Sequence, residues 1–304
     1  MSRFHEALQK ARMEQKSNDE SEFPSVDSII AAEPTLLSLN EGSLQTDSPM
    51  SPDLSLLQRC SHQKWSPDPS RLLFTSDDND VPGKERFRTL RSRLYQLREV
   101  RKLSVVAVSS AMPGEGKTFV SANLAYVLAK QHERRILLID ADLRQSTMSG
   151  LLGAPSFPGL SDYIADNRSL EEVIHRGDQQ NLFVLPSGRA DQHPGELIAS
   201  QKLQHLIEML RPLFDWIVID TPPVIPVSDA SILADLCDGV LLVVNAGSTD
   251  VGLASRAKTE FKSEALLGVV LNRCAEGGAE YYKGHSYGYG SVISQATASG
   301  PQSQ

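Results

Sequence analysis

From Leu103 onward, short apolar runs alternate with longer mixed stretches. The runs are Leu103–Val108, Ile136–Ile139, Leu182–Leu185, Trp216–Ile219, Val240–Val244 and Leu267–Leu271. They are rich in β-branched residues and continuous rather than alternating, the pattern of strands covered on both faces. Between several of them, apolar residues recur at helical spacing, in 119–130, 200–213 and 251–261. The pattern predicts an α/β fold: a doubly wound, mostly parallel sheet in one domain over residues 81–275. That span is long enough for a sizeable core.

The flanks read differently. Between Lys84 and Lys102 there are eight Lys or Arg against Glu85 and Glu99, and Phe87, Leu90, Leu94 and Leu97 share one helical face. A basic amphipathic helix is expected to open the domain. Residues 17–80 hold twelve acids and three Lys or Arg, with Pro24, Pro34, Pro49, Pro52, Pro67 and Pro69 interrupting them. Such a segment reads as a disordered acidic Ser/Pro-rich linker, unable to bury enough apolar surface to offset its ordering entropy. Within it, 36–39 and 54–57 are either docking spots or incidental. Residues 1–16 place Phe4, Ala7, Leu8 and Ala11 as in a short amphipathic helix, and 276–304 read as a flexible Gly-, Tyr- and Ser-containing tail.

Charge and composition narrow the function. The net charge of −8 over 304 residues is confined to the 17–80 segment, which carries −9 and leaves the rest at +1. This balance weakens the reading of a globally basic, nucleic-acid-coating protein, and no nucleic-acid partner is expected. Cys60, Cys237 and Cys274 lack the spacing of a disulfide scaffold or a zinc site. No run approaches a membrane span, and the N-terminus has charges where a signal peptide needs apolar residues. The expected location is cytoplasmic.

The chemistry begins at the end of the first run. Ala111-Met-Pro113-Gly114-Glu115-Gly116-Lys117-Thr118 follows a strand and opens a helix, as a P-loop does. The loop Pro113–Phe119 is expected to cradle phosphates, through the backbone N–H groups of its residues after Pro113, with Lys117 on the β- and γ-phosphates and the Thr118 hydroxyl on Mg²⁺. Gly114 and Gly116 permit backbone conformations and approaches that a Cβ would block. Asp140 and Asp142 close another strand at i, i+2, and Asp220 closes a third. Ligands in open α/β sheets sit outside the C-terminal strand ends, so the three acids and the P-loop are expected to converge on one metal–phosphate site.

These residues resemble those of the bacterial protein-tyrosine kinases of exopolysaccharide synthesis, from about Gly83 to the C-terminus. Ala111–Thr118 resembles that family's Walker A, Leu137–Arg144 its Asp-x-Asp-x-Arg Walker A′, and Ile217–Pro223 its Walker B. Glu85, Arg88 and Arg91 match its E-x-x-R-x-x-R subunit-joining helix, and Tyr281, Tyr282, Tyr287 and Tyr289 its C-terminal tyrosine cluster. The resemblance implies an ATP- and Mg²⁺-dependent tyrosine autokinase that phosphorylates this cluster in trans and regulates exopolysaccharide polymerisation and export. It assigns Thr118, Asp142 and Asp220 to the metal and Asp140 to the tyrosine proton. It places Asn272 near the adenine and leaves Arg144 either steadying phosphate or pairing with a carboxylate. It also implies a homo-oligomeric ring, an octamer in the family, and a membrane co-polymerase or chain-length-determinant protein as activator. A tyrosine phosphatase and peripheral association with the inner membrane through the activator complete the implied setting. The fold implied is that of the P-loop NTPases of the MinD/ParA-like deviant Walker group, and the rival readings are a MinD/ParA-like switch ATPase, or a nucleotide-gated scaffold without kinase activity. Met112 stands where the switch ATPases carry an extra lysine, and the chain end lacks their basic amphipathic helix.

Overall fold

The computed structural model describes residues 55–75 and 82–274, apart from 132 and 190–192. The expected N-terminal helix of 1–16, most of the acidic segment and the tyrosine tail lie outside the described residues.

The described chain begins with α1 (Ser55–Arg59) and β1 (Ser61–His62), passes a 3₁₀ turn at Leu73–Thr75, and enters α2 (Pro82–Val100). The strand–helix alternation follows: β2 (Val105–Ser110), α3 (Lys117–Ala129), β3 (Ile136–Asp140), α4 (Met148–Leu152), α5 (Leu160–Asp166) and α6 (Leu170–Val173). Then come β4 (His175–Arg176), β5 (Leu182–Leu185), α7 (Pro194–Ile198), α8 (Gln201–Leu210) and β6 (Trp216–Asp220). The last elements are α9 (Asp229–Asp235), β7 (Gly239–Asn245), α10 (Val251–Thr259) and β8 (Leu266–Asn272).

The strands form one sheet in the order β1-β4-β5-β3-β6-β2-β7-β8. All neighbours pair in parallel except β4 with β5. Successive residues of the central strands point to opposite faces. Val106, Val108, Ile136, Leu138, Trp216 and Val218 meet α2, α3 and α4 on one face. Val105, Leu137, Ile139, Ile217 and Ile219 meet α5 to α8 on the other, and α9 and α10 cover Ala107, Val240 and Leu242 there. The fold is the doubly wound, mostly parallel sheet expected.

Two local expectations change. Helix α3 is not amphipathic: Thr118 and every residue from Val120 to Ala129 are buried. It lies against the sheet, while α2 presses Phe87 and Leu94 onto the same core, so no side of it is left to water. The basic residues of α2 are partly structural. Arg91 Nη1 donates to Val127 O of α3 at 3.1 Å, and Arg98 donates to Asp215 O while its guanidinium lies 5.0 Å from the Trp216 ring centroid.

The second change corrects the linker reading. Residues 55–75 are an ordered strap. Leu57 and Cys60 are buried on one face of the sheet, and Trp65, Leu72 and Phe74 on the other, so the strap wraps the β1 edge. Its backbone is tied to the C-terminal end of α4, with Ser66 N donating to Gly153 O and Asp68 N to Leu151 O. The segment average of charge and proline concealed a few well-placed apolar side chains. The Leu54–Leu57 motif supplies part of α1, and Leu57 docks on the chain's own core.

Candidate active site

The P-loop joins β2 to α3. Gly114 and Gly116 have φ of 82° and 97°, left-handed conformations that only glycine adopts without strain, so both are required by the turn itself. Glu115 braces the loop from inside. Its carboxylate accepts the Met112 N–H at 2.9 Å and the Thr249 hydroxyl from the β7–α10 loop. Its carbonyl accepts the Asn272 amide at 2.8 Å. Asn272 therefore sits against Gly116 at the rim of the cleft, with its Oδ1 accepting Arg273 N. The Asn272 amide is thus committed to shaping the loop.

The acidic residues arrive from neighbouring strands. Asp140 and Asp220 are register partners at the ends of β3 and β6. The strand ends at Asp140, so Asp140 and Asp142 are partnered differently. Asp140 Oδ1 accepts Asp142 N at 3.2 Å and Oδ2 accepts the Ser146 hydroxyl at 2.6 Å. Asp142 accepts Lys117 Nζ at 2.8 Å and Gln145 N at 3.0 Å. Asp220 accepts the Ser121 hydroxyl at 3.0 Å. Asp140 and Asp220 are fully enclosed, whereas Asp142 lines the open cleft.

Burial pushes the Asp140 carboxyl well above the ordinary carboxylate range, with the charges of Asp220 and Asp142 adding to it and the Ser146 bond opposing. Burial likewise raises Asp220, against the Lys117 charge and bonds from Thr118 and Ser121. For Lys117, burial works to lower the ammonium's pKa. The charges of Asp220, Asp142 and Asp140 outweigh it and hold the group above its ordinary value. Three carboxylates thus face one ammonium, an arrangement that favours an additional cation.

The cleft above them has a volume of about 570 Å³. Pro113, Gly114, Gly116, Lys117, Thr118 and Phe119 form one side, and Asp142, Gln145, Thr147, Pro223, Asn272 and Arg273 close the others. Thr147 Oγ donates to Thr118 Oγ at 3.3 Å, holding the hydroxyl at the foot of the cleft. Arg71, from the strap, also lines it. Sequence reasoning missed this residue because it lay in a segment read as disordered. Arg144 has the carboxylate partner left open above: its guanidinium donates to both Asp229 oxygens, at 2.7 and 3.2 Å. Glu85 and Arg88 form a 3.0 Å ion pair on the surface of α2, apart from the cleft. The four tail tyrosines lie outside the described residues.

A glycine-turned loop at a helix N-terminus, with a lysine among strand-end aspartates, defines a P-loop nucleotide-binding protein. The AAA domain family model matches residues 103–254. Among curated relatives, "Tyrosine-protein kinase YwqD" of Bacillus subtilis is 34% identical over 207 residues, 67% of this chain and 85% of that one. "Tyrosine-protein kinase CpsD" of Streptococcus agalactiae is 38% identical over 180 residues, 58% of this chain and 77% of that one. Among solved structures, the kinase domain of Escherichia coli tyrosine kinase ETK superposes with a TM-score of 0.62 at 26% identity, covering 75% of this chain and 86% of that one. The VpsO kinase domain gives 0.57 at 34% identity, covering 64% and 100%. The chain belongs to the bacterial protein-tyrosine kinase family, and it is a protein-tyrosine kinase.

Among the described residues no helix is long and apolar enough to cross a membrane.

Proposed function

We propose that this kinase uses Mg·ATP to phosphorylate Tyr281, Tyr282, Tyr287 and Tyr289 of a neighbouring copy, and that this reaction regulates exopolysaccharide polymerisation and export. The observation that carries the reading is the gathering of Lys117, Asp140, Asp142 and Asp220 beneath one P-loop cleft. Phosphoryl transfer is mainly positioning and charge neutralisation. The P-loop amides and Lys117 would hold the triphosphate, and nucleotide binding would draw Lys117 from Asp142 toward the phosphates.

The residues fit Mg²⁺. Thr118, Asp142 and Asp220 offer the hard oxygen donors it selects, and the acidic excess around Lys117 leaves a charge for it to balance. Among the described residues no three carboxylates, imidazoles or thiols form a metal cage. Mg²⁺ takes one or two carboxylates and completes its shell with phosphate and water. When bound it neutralises developing charge on the phosphates. Asp140 accepts the tyrosine hydroxyl proton in this scheme, because its raised pKa brings its proton affinity toward neutrality.

The ring is proposed to assemble through Glu85, Arg88 and Arg91 of α2, as an octamer by analogy with the family. Glu85 and Arg88 pair at 3.0 Å on the surface of α2, whereas Arg91 is committed to α3. A membrane co-polymerase would supply the activating cytoplasmic segment and inner-membrane association, and a tyrosine phosphatase would reverse the reaction.

The test is a phosphotyrosine map by mass spectrometry after incubation with Mg·ATP, with and without the partner's cytoplasmic segment. Phosphate on the 281–289 cluster is expected. Its absence in both conditions overturns the autokinase reading.

A further inference from the structure

The strap brings a cation to the nucleotide cleft from outside every motif of the site. We propose that Arg71 is a nucleotide-binding residue whose guanidinium pairs with the phosphate chain held by the P-loop. This rests on the nucleotide-binding reading of that loop.

The position of Arg71 is fixed by a buried polar clamp. Asn123 of α3 is fully buried. Its Oδ1 accepts Leu73 N at 2.8 Å, and its Nδ2 donates to Arg71 O at 3.0 Å and to Phe119 O at 2.9 Å. One side chain thus ties the Arg71 backbone to the helix that starts at Lys117. The flanking Leu72 and Phe74 are buried. Phe74 meets Phe87 edge-on at 6.3 Å, and Phe87 meets Phe119 at 5.9 Å. Phe119 is itself a cleft residue, so the strap and the phosphate-binding helix share one packed row.

The guanidinium is left to serve the cleft. Among the described residues it makes no hydrogen bond or ion pair. Asp68 carries its charge chiefly against Ser70, with Arg71 a minor influence. Around the cleft the cations are Arg71, Lys117 and Arg273, and the acid is Asp142, already bonded to Lys117. An unpaired arginine on a rigid backbone, facing a loop built for phosphate, complements a polyphosphate. Arginine is also well shaped to hold phosphate oxygens through two parallel N–H bonds.

The experiment measures binding of methylanthraniloyl-ADP with Mg²⁺ to the full chain, for wild type, Arg71→Ala, Arg71→Lys and the control Lys117→Met. Arg71→Ala is expected to bind about tenfold more weakly, the size of one charge-assisted hydrogen bond, with a shallower salt dependence. Arg71→Lys should fall between it and wild type. Because Arg71 is exposed, thermal melting should be unchanged. Wild-type affinity in both Arg71 variants, with Lys117→Met impaired, overturns this proposal alone. Failure of wild type to bind the probe overturns the P-loop reading and this proposal with it. Unchanged nucleotide affinity with a raised KM for a tyrosine peptide would also overturn it, by placing Arg71 on the peptide instead.

Discussion

Lys117 Nζ and Asp142 Oδ2 lie 2.8 Å apart, so the P-loop lysine is paired with a carboxylate that lines the same cleft. Both side chains are largely shielded from water. The pair keeps the ammonium charged and oriented.

In the proposed scheme Lys117→Met removes the cation that holds the transferred phosphate. Phosphotyrosine formation, followed with radiolabelled ATP, should fall by on the order of 10²-fold or more. Labelling at the wild-type rate would show that the transfer site lies elsewhere.

Asp140→Asn should separate stability from activity. Burial, then Asp220, raises the Asp140 pKa in the folded state. The native protein therefore holds a proton that the unfolded chain releases, and its stability declines as pH rises from the ordinary carboxylate range toward the raised value. The neutral amide removes that decline. Melting temperature at neutral pH should rise, and its fall between mildly acidic and neutral pH should flatten, while kinase activity is lost. A lower melting temperature with retained activity would contradict both assignments.

Asp238 behaves in the opposite sense. Burial works to raise its pKa, but the N–H groups of Val105 and Ser104 and the Arg211 guanidinium outweigh this and hold it below the usual value. Its stabilisation is present above the unfolded pKa of about 3.9 and is lost as pH falls through the lower folded value. Asp238→Asn should cost about 2–4 kcal/mol at neutral pH and weaken the acid dependence of unfolding. Urea titrations at several pH values would measure both.

Asn123→Ala should release the strap. It leaves Leu73 N and Arg71 O without their partners, at about 1–3 kcal/mol for each group that stays buried. Limited proteolysis should show faster cleavage within 61–75. Unchanged protection would mean that apolar packing alone holds the strap.

The central strands were legible because burial on both faces selects continuous β-branched runs, and all six expected strands form. The two-residue strands β1 and β4 were not legible, since a pair of residues carries no period. The burial of helix α3 on all sides was not legible, since Ser121 and Asn123 are polar residues of a kind usually found at the surface. The fold buries both and gives them work, Ser121 on Asp220 and Asn123 on the strap.

The sequence by itself determined the six long strands, the phosphate loop and the three strand-end aspartates. Those features depend on local spacing: a periodic burial pattern, two glycines at positive φ, and a carboxylate at a strand's last residue. Only the tertiary structure decided the partners. It separated Asp140 from Asp142, gave Arg144 to Asp229, committed Arg91 to α3, and carried Arg71 across the sheet edge to the cleft. Each depends on residues far apart in the chain meeting in a common low-water environment, where an unpaired polar group is costly and a single buried amide can fix a whole segment.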